Sequence, residues 1–281
     1  MNHTSYIDQK NVKKIVLRSG SSFFWGMNIL EKKRRRAMFA IYAFCRTVDD
    51  IADSDKSKKE KLIMISLMAK LNCKNFWEKL LIPAFIFFFQ KLYPFNLVNN
   101  NQSNFAAAAG GCIFSEINIF KKRNILELIK NKIIDDCNLA KILKKEGKIW
   151  LGLTDHVESL REYKKLNQIW RMVSRTAYEQ LNNSFIILLI SIFGMMLMYL
   201  VSSIFFIKNF LIFQFKNIFF IFFNFVLMSF IFRPTIKFYN LNLIFALCLP
   251  ISAFFYMLMT ISSALNYYFK SGNIWKDRIY K

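Results

Sequence analysis

"SFIILLISIFGMMLMYLVSSIFFI" (Ser184–Ile207) carries no charged side chain. At 1.5 Å of rise per residue, a helix of this length crosses a hydrocarbon core of ~30 Å. Two further apolar runs follow it. "NFLIFQFKNIFFIFFNFVLMSFIF" (Asn209–Phe232) is interrupted by Lys216, whose long stem can carry its ammonium towards an interface. "LNLIFALCLPISAFFYMLMTISSAL" (Leu241–Leu265) contains Pro250, which predicts a kink. Three such runs in succession predict a membrane region over 184–281, with spans near 184–207, 209–232 and 241–265.

Upstream of Ser184 the composition changes. The whole chain of 281 residues has a net charge of +22 and only 8 Gly and 4 Pro, which favours long helices over a turn-rich β-fold. Its cations are spread along the sequence and not gathered into one aromatic-interleaved patch. That distribution suits an anionic bilayer as partner and argues against nucleic acid. Five cysteines without a CxxC pair, and two histidines, predict reduced thiols and no structural zinc. No apolar core of signal-peptide length occurs near the start. The expected location is a cytoplasmic (inner) membrane, multi-pass, with the soluble part cytoplasmic.

"LLIPAFIFFFQKLYPF" (Leu80–Phe95) is apolar but too short to span, and an interfacial helix over 80–95 is expected. Residues 96–183 read as an α/β piece. "FAAAAGGCIF" is a small-residue turn entering a short strand, where Gly110 and Gly111 permit close backbone approach. "ILELIKNKIIDDCNLAKILKKEG" has helical periodicity and stops at Gly147, and "KIWLGL" is a strand candidate.

Two acidic groups carry chemistry. In "YAFCRTVDDIADSD", a helix running on from Glu31 puts Asp49 and Asp53 on one face, with Asp50 three residues before Asp53. Carboxylates stacked in this way repel unless a cation lies between them, and magnesium bridges such oxygens to a diphosphate. The alternative is a solvated acidic helix end. In "KNKIIDDCNLAKILKK", Asp135 and Asp136 open a helix; capping explains one of them, and an adjacent second one suggests a site.

The first group lies in a block, "SGSSFFWGM", "EKKRRRAM" and "YAFCRTVDDIAD", that resembles over about residues 13–55 the N-terminal signature of the squalene/phytoene synthase family, in particular its presqualene diphosphate synthase branch. The resemblance implies that Asp49, Asp50 and Asp53 hold Mg2+ (or Mn2+) and a prenyl diphosphate. It also implies a helical bundle with a second aspartate motif. After Asp55 the remaining aspartates are Asp135, Asp136, Asp155 and Asp277, and no DxxxD occurs among them.

The second group lies in a different resemblance. "AAAAGGCIF", "IIDDCNLAKILKKEGKIWLGL", "ESLREYKKLNQIWRMVSRTAYEQL", "RPTIKFYNL" and "GNIWKDRIY" look like the C-terminal half of a hopanoid-associated membrane family 2 glycosyltransferase, from about residue 61 to 281. That resemblance implies a nucleotide sugar as donor and Asp136 or Asp135 as general base for an acceptor hydroxyl. It places Gln168, Trp170, Arg171 and Arg175 near the donor diphosphate, in a region that spells the family's motif imperfectly. The nucleotide-binding half of such enzymes has no counterpart in the matched region.

The expected organisation is therefore a truncated synthase-like helical segment (1–60), a partial glycosyltransferase-like α/β segment (61–183) and about three C-terminal transmembrane helices (184–281). The expected function is a catalytically compromised, glycosyltransferase-like membrane protein of hopanoid biosynthesis, with hopanoid-pathway enzymes as partners. The alternatives are an isoprenoid-synthase-like prenyltransferase fragment and a non-catalytic gene-fusion product.

Overall fold

The structure is a computed structural model that describes residues 12–17, 23–32, 34–36, 38–39, 42–43, 46, 62–122, 124–201, 203–205, 208, 218–269, 273–275 and 278–280. It is mostly helical, with a small sheet.

Near the start, α1 (Phe23–Asn28) precedes helical residues between Lys32 and Arg46, in line with the helix expected from Glu31. Val16, Met27, Phe39 and Ala43 are buried together, with Phe24 stacked on Phe39 at 5.7 Å between ring centres. This cluster is separate from the main core.

The main body begins with β1 (Leu62–Lys70), followed by α2 (Phe76–Leu92) and α3 (Phe95–Asn99). Then come β2 (Ile113–Ser115), α4 (Ile117–Lys122), α5 (Ile125–Ile129), α6 (Asp135–Lys144) and β3 (Lys148–Glu158). The sheet order is β2-β1-β3, with β1 antiparallel to β2 and parallel to β3. Five consecutive residues of β1, Met64 to Met68, are buried, as befits a central strand covered on both faces. Met64 and Met68 enter the main core, whereas Ile65 and Leu67 pack with Cys112 on the other face. The single helix expected over 125–147 is two, α5 and α6, separated by Lys130–Ile134. The break lets Asp135 and Asp136 start a new helix, where its dipole favours their charge.

After β3 come α7 (Leu166–Ser174), the short α8 (Ala177–Gln180) and α9 (Phe185–Met195), which continues as a π-helical turn over Met196–Val201. The remaining elements are α10 (Ile218–Phe238), α11 (Ile244–Leu247), α12 (Leu249–Phe269), and a hairpin of β4 (Asn273–Trp275) and β5 (Arg278–Tyr280).

The three expected spans become two. Among the described residues, helices long and apolar enough to cross a membrane cover Phe185–Phe205 and Leu249–Phe269. Of the run expected at 209–232, residues 218–232 fall in α10, which continues through Arg233, Pro234 and Lys237, and residues 209–217 lie outside the described residues. Pro250 does not kink a span. It lies at the second position of α12, where its missing N–H has no helical partner to lose.

Helix α2 is also placed differently from the interfacial helix expected over 80–95. Leu80 to Ala84, Ile86, Phe87 and Phe89 are buried, and α2 packs against α10 and α12. Pro83 deprives α2 of one backbone donor, and the carbonyls just before it are met from α12. Ser252 Oγ donates to the Leu80 carbonyl at 2.8 Å and Tyr256 Oη to the Leu81 carbonyl at 2.9 Å. At the head of α2, fully buried Glu78 accepts backbone N–H groups from Lys74 (2.8 Å), Asn75 (3.2 Å) and Tyr163 (2.6 Å). One carboxylate thereby ties the β1–α2 loop to the β3–α7 loop, and the N–H donors offset its burial.

Candidate functional site

The site forms where the 106–112 turn meets the first turn of α6. Ser66 on β1 holds the turn with a pair of bonds to Ala109, accepting from its N–H at 2.8 Å and donating to its carbonyl at 3.2 Å. The turn then passes close to Asp136, whose Oδ2 accepts the Gly110 N–H at 2.8 Å. A methyl group at Gly110 would come within 3.2 Å of that same oxygen, and one at Gly111 within 3.1 Å of Ala69 Cβ. Both glycines therefore sit at close approaches that a side chain would tighten, as the sequence pattern predicts.

Asp136 Oδ1 accepts the Cys137 N–H at 2.7 Å, and Asp135 Oδ1 accepts the Asp136 N–H at 3.0 Å. Asp135 is exposed and Asp136 half-buried. Burial pushes the Asp136 carboxyl above the usual carboxylate range, helped by the neighbouring Asp135 charge and opposed by the two backbone N–H donors. Cys137 is buried, donates to the Ala108 carbonyl at 3.4 Å, and has its thiol pushed up to about 12 by burial and by Asp136. A thiol so raised stays protonated and is no nucleophile.

Asp135 and Asp136 line a cavity of about 580 Å3. Its walls come from α2 (Phe89), α7 (Val173), α9 and its π extension (Met195, Tyr199) and α12 (Tyr256). The lining is mostly apolar and includes residues of both candidate spans. Such a space fits the hydrocarbon part of a lipid. A smaller polar cavity of about 210 Å3 adjoins it, lined by Tyr93, Lys132, Lys141, Glu179 and Asn183. Tyr93 Oη is hydrogen-bonded to Gln180, which lines both spaces. The Glu179 carboxyl is raised by burial, against Lys132, the Ile134 backbone N–H and Lys141.

Of the four side chains expected at a donor diphosphate, Arg175 follows the end of α7 within electrostatic reach of the acidic pair. Burial lowers its basicity, and the charges of Asp135 and Asp136 act in the other direction. The other three are placed elsewhere. Gln168 accepts the Lys165 N–H at 3.3 Å and so completes the start of α7. Trp170 donates its indole N–H to Ser262 Oγ at 3.2 Å, joining α7 to α12. Arg171 is exposed. Sequence reasoning missed Ser66, Tyr93, Gln180 and the cavity-facing side of α9. The first three are single polar residues with no spacing pattern, and the last reads only as a membrane run.

Asp49, Asp50 and Asp53 lie outside the described residues. Among the described residues, no group of three or more His, Cys, Asp or Glu is arranged to hold a metal ion. Asp135 and Asp136 are a pair only, and each Asp136 oxygen accepts one backbone donor.

Comparison with known proteins bears on the first part of the chain. Residues 16–82 match the family model of squalene/phytoene synthase. The chain is 54% identical over 43 residues to the presqualene diphosphate synthase of Rhodopseudomonas palustris, covering 15% of each chain. It is 56% identical over 43 residues to that of Sinorhizobium fredii, again 15% of each. For the enzyme of Zymomonas mobilis the identity is 54% over 41 residues, 15% of this chain and 14% of the relative. The chain thus spans about 15% of the length of the curated relatives it matches. No solved structure matches it. The family match runs past Asp55 into β1 and the first turns of α2, so the last part of the matched region contains a strand where the resemblance implies a helical bundle. Residues 16–82 are squalene/phytoene-synthase-like in sequence, and the glycosyltransferase resemblance finds no counterpart in these comparisons.

Proposed function

We propose that this chain is an isoprenoid-binding membrane protein of transferase type, whose N-terminal aspartates Asp49, Asp50 and Asp53 take a prenyl diphosphate together with Mg2+. The observation that carries the reading is the match of residues 16–82 to squalene/phytoene synthases, which contains all three aspartates. A bound magnesium ion would supply positive charge against the diphosphate. Arg34, Arg35 and Arg36, earlier in the same matched region, add to the cationic field an anionic ligand meets. The two apolar helices and the cavity between them support a seat in the bilayer for the hydrocarbon chain. The test is turnover. Full-length protein in detergent, given farnesyl diphosphate and magnesium, releases inorganic diphosphate, and Asp53→Asn slows the release about tenfold or more. Release no faster than in protein-free buffer sinks the synthase-like activity.

A second reading rests on a different observation, the placement of Asp136 in the lining of a mostly apolar cavity. It is glycosyl transfer to a hydroxylated lipid, associated with hopanoid biosynthesis. The acceptor oxygen bonds to the anomeric carbon of a nucleotide sugar while the bond to the diphosphate breaks, and Asp136 takes the hydroxyl proton. Arg175, with Gln168, Trp170 and Arg171 in the same segment, would meet the leaving diphosphate. Burial raises the Asp136 carboxyl above the usual carboxylate range, which makes it a stronger base than an exposed carboxylate. Sugar transfer to hydroxylated hopanoid that falls about 100-fold in Asp136→Asn supports this reading. Failure of the unsubstituted chain to turn over any nucleotide sugar removes it. A fusion of neighbouring genes would account for the juxtaposition of the two resemblances, with a seam expected near residues 55–61 although the synthase family match continues to residue 82; resequencing the locus to find two intact genes would overturn that history.

A further inference from the structure

The segment from Glu116 to Lys132 holds five cations against two acids, Glu116 and Glu127. It folds as α4 and α5. Ile125 is fully buried and anchors α5 in the main core, while Ile119, Phe120 and Ile129 pack against that core from partly buried positions. What remains outside is apolar. Ile117 is 64% exposed, Leu126 63% and Leu128 60%. Around them Lys121, Lys130 and Lys132 are exposed, Lys130 being paired with Glu127. Large aliphatic side chains held outward between cations are costly in water, and they match a boundary where acyl chains meet anionic headgroups.

The position of the segment argues for the same partner. Lys132 lines the small polar cavity together with Asn182 and Asn183. Those asparagines form the turn before Ser184, the residue that caps the first turn of α9 through its side chain. The end of the α4–α5 segment therefore lies level with the point where the chain enters its most exposed apolar helix, of which 12% is buried.

We infer that α4 and α5 form an interfacial foot that rests on an anionic lipid surface, with Ile117, Leu126 and Leu128 entering the acyl boundary and Lys121, Lys130 and Lys132 meeting lipid phosphates. The inference rests on the reading of α9 as a membrane helix. The foot fixes the depth of the sheet and of Asp136 above the bilayer, because α6 follows α5 after five residues.

The experiment is amide hydrogen exchange on the full chain in nanodiscs, comparing pure phosphatidylcholine with the same lipid containing one third phosphatidylglycerol. Exchange over 116–132 is expected to slow about tenfold in the anionic discs, as two or three lysines at a charged surface imply. The slowing is lost in Lys121→Glu/Lys132→Glu and reduced in Leu126→Ser/Leu128→Ser, with exchange in β1 and β3 unchanged as the control for folding. Equal exchange in the two lipids, with the protein migrating with the discs, overturns the foot and leaves the membrane reading standing. A chain that does not migrate with the discs overturns the membrane reading and the foot with it. Protection that appears in lipid-free detergent and rises with protein concentration overturns the foot in favour of contact between copies.

Discussion

Asp136 shows how a single residue is set by its surroundings more than by its type. Its neighbours Gly110 and Cys137 supply two backbone donors, yet burial outweighs them and the carboxyl is raised. The folded protein therefore holds this proton more tightly than the unfolded chain does. Stability from it is full below the unfolded carboxylate range, about pH 4, and is lost as pH rises through the raised folded value. Asp136→Asn keeps one acceptor, for the Gly110 N–H, gives up the one for the Cys137 N–H, and carries no charge to bury. Thermal unfolding in detergent is expected to find this variant more stable than its parent by a few degrees at about pH 7, with the difference shrinking towards about pH 4. A constant difference across that range would show that Asp136 is not the group being titrated. The acidic pair and the two glycines were legible in the sequence because each stands out from its composition. The bond between them was not, since 26 residues separate Gly110 from Asp136 and no local pattern links a turn to a later helix start.

Among the elements, α2 departs furthest from its sequence reading. Its length and flanking Lys91 suggest an interfacial helix, but Pro83 and the burial of its centre make it the helix on which α10 and α12 close. Ser252 and Tyr256 are four apart on α12 and reach the Leu80 and Leu81 carbonyls one after the other. The geometry predicts that Tyr256→Phe costs about 1 kcal/mol and that adding Ser252→Ala costs about as much again, measured by denaturant unfolding in mixed micelles. A double variant as stable as the parent would show that these bonds only replace equivalent ones within the helices. Strand β1 was not anticipated either. "LIMISLMAK" is a short continuous apolar run, which periodicity alone does not assign to strand or helix. Its partners, Ile113–Ser115 and the strand from Lys148, lie far along the chain. Helices α9 and α12, by contrast, were legible as elements from composition, though α12 is shifted because Pro250 opens it instead of bending it.

At the scale of the molecule, two small organisations lie in one chain. A compact N-terminal cluster around Val16 and Met27 belongs to the synthase-like region, and a sheet-and-helix body carries Asp136 above an apolar cavity. On the two proposed readings, each would take a lipid with a long hydrocarbon part and a polar end. The prenyl-diphosphate reading rests on Asp49, Asp50 and Asp53, whose spacing is evident in the sequence and whose placement lies outside the described residues. Titration calorimetry of the full chain in detergent with farnesyl diphosphate therefore tests the central claim most directly. The account predicts saturable binding at micromolar concentration that requires magnesium and weakens about tenfold or more in Asp49→Ala. Binding that is absent, or indifferent both to magnesium and to Asp49, would contradict it.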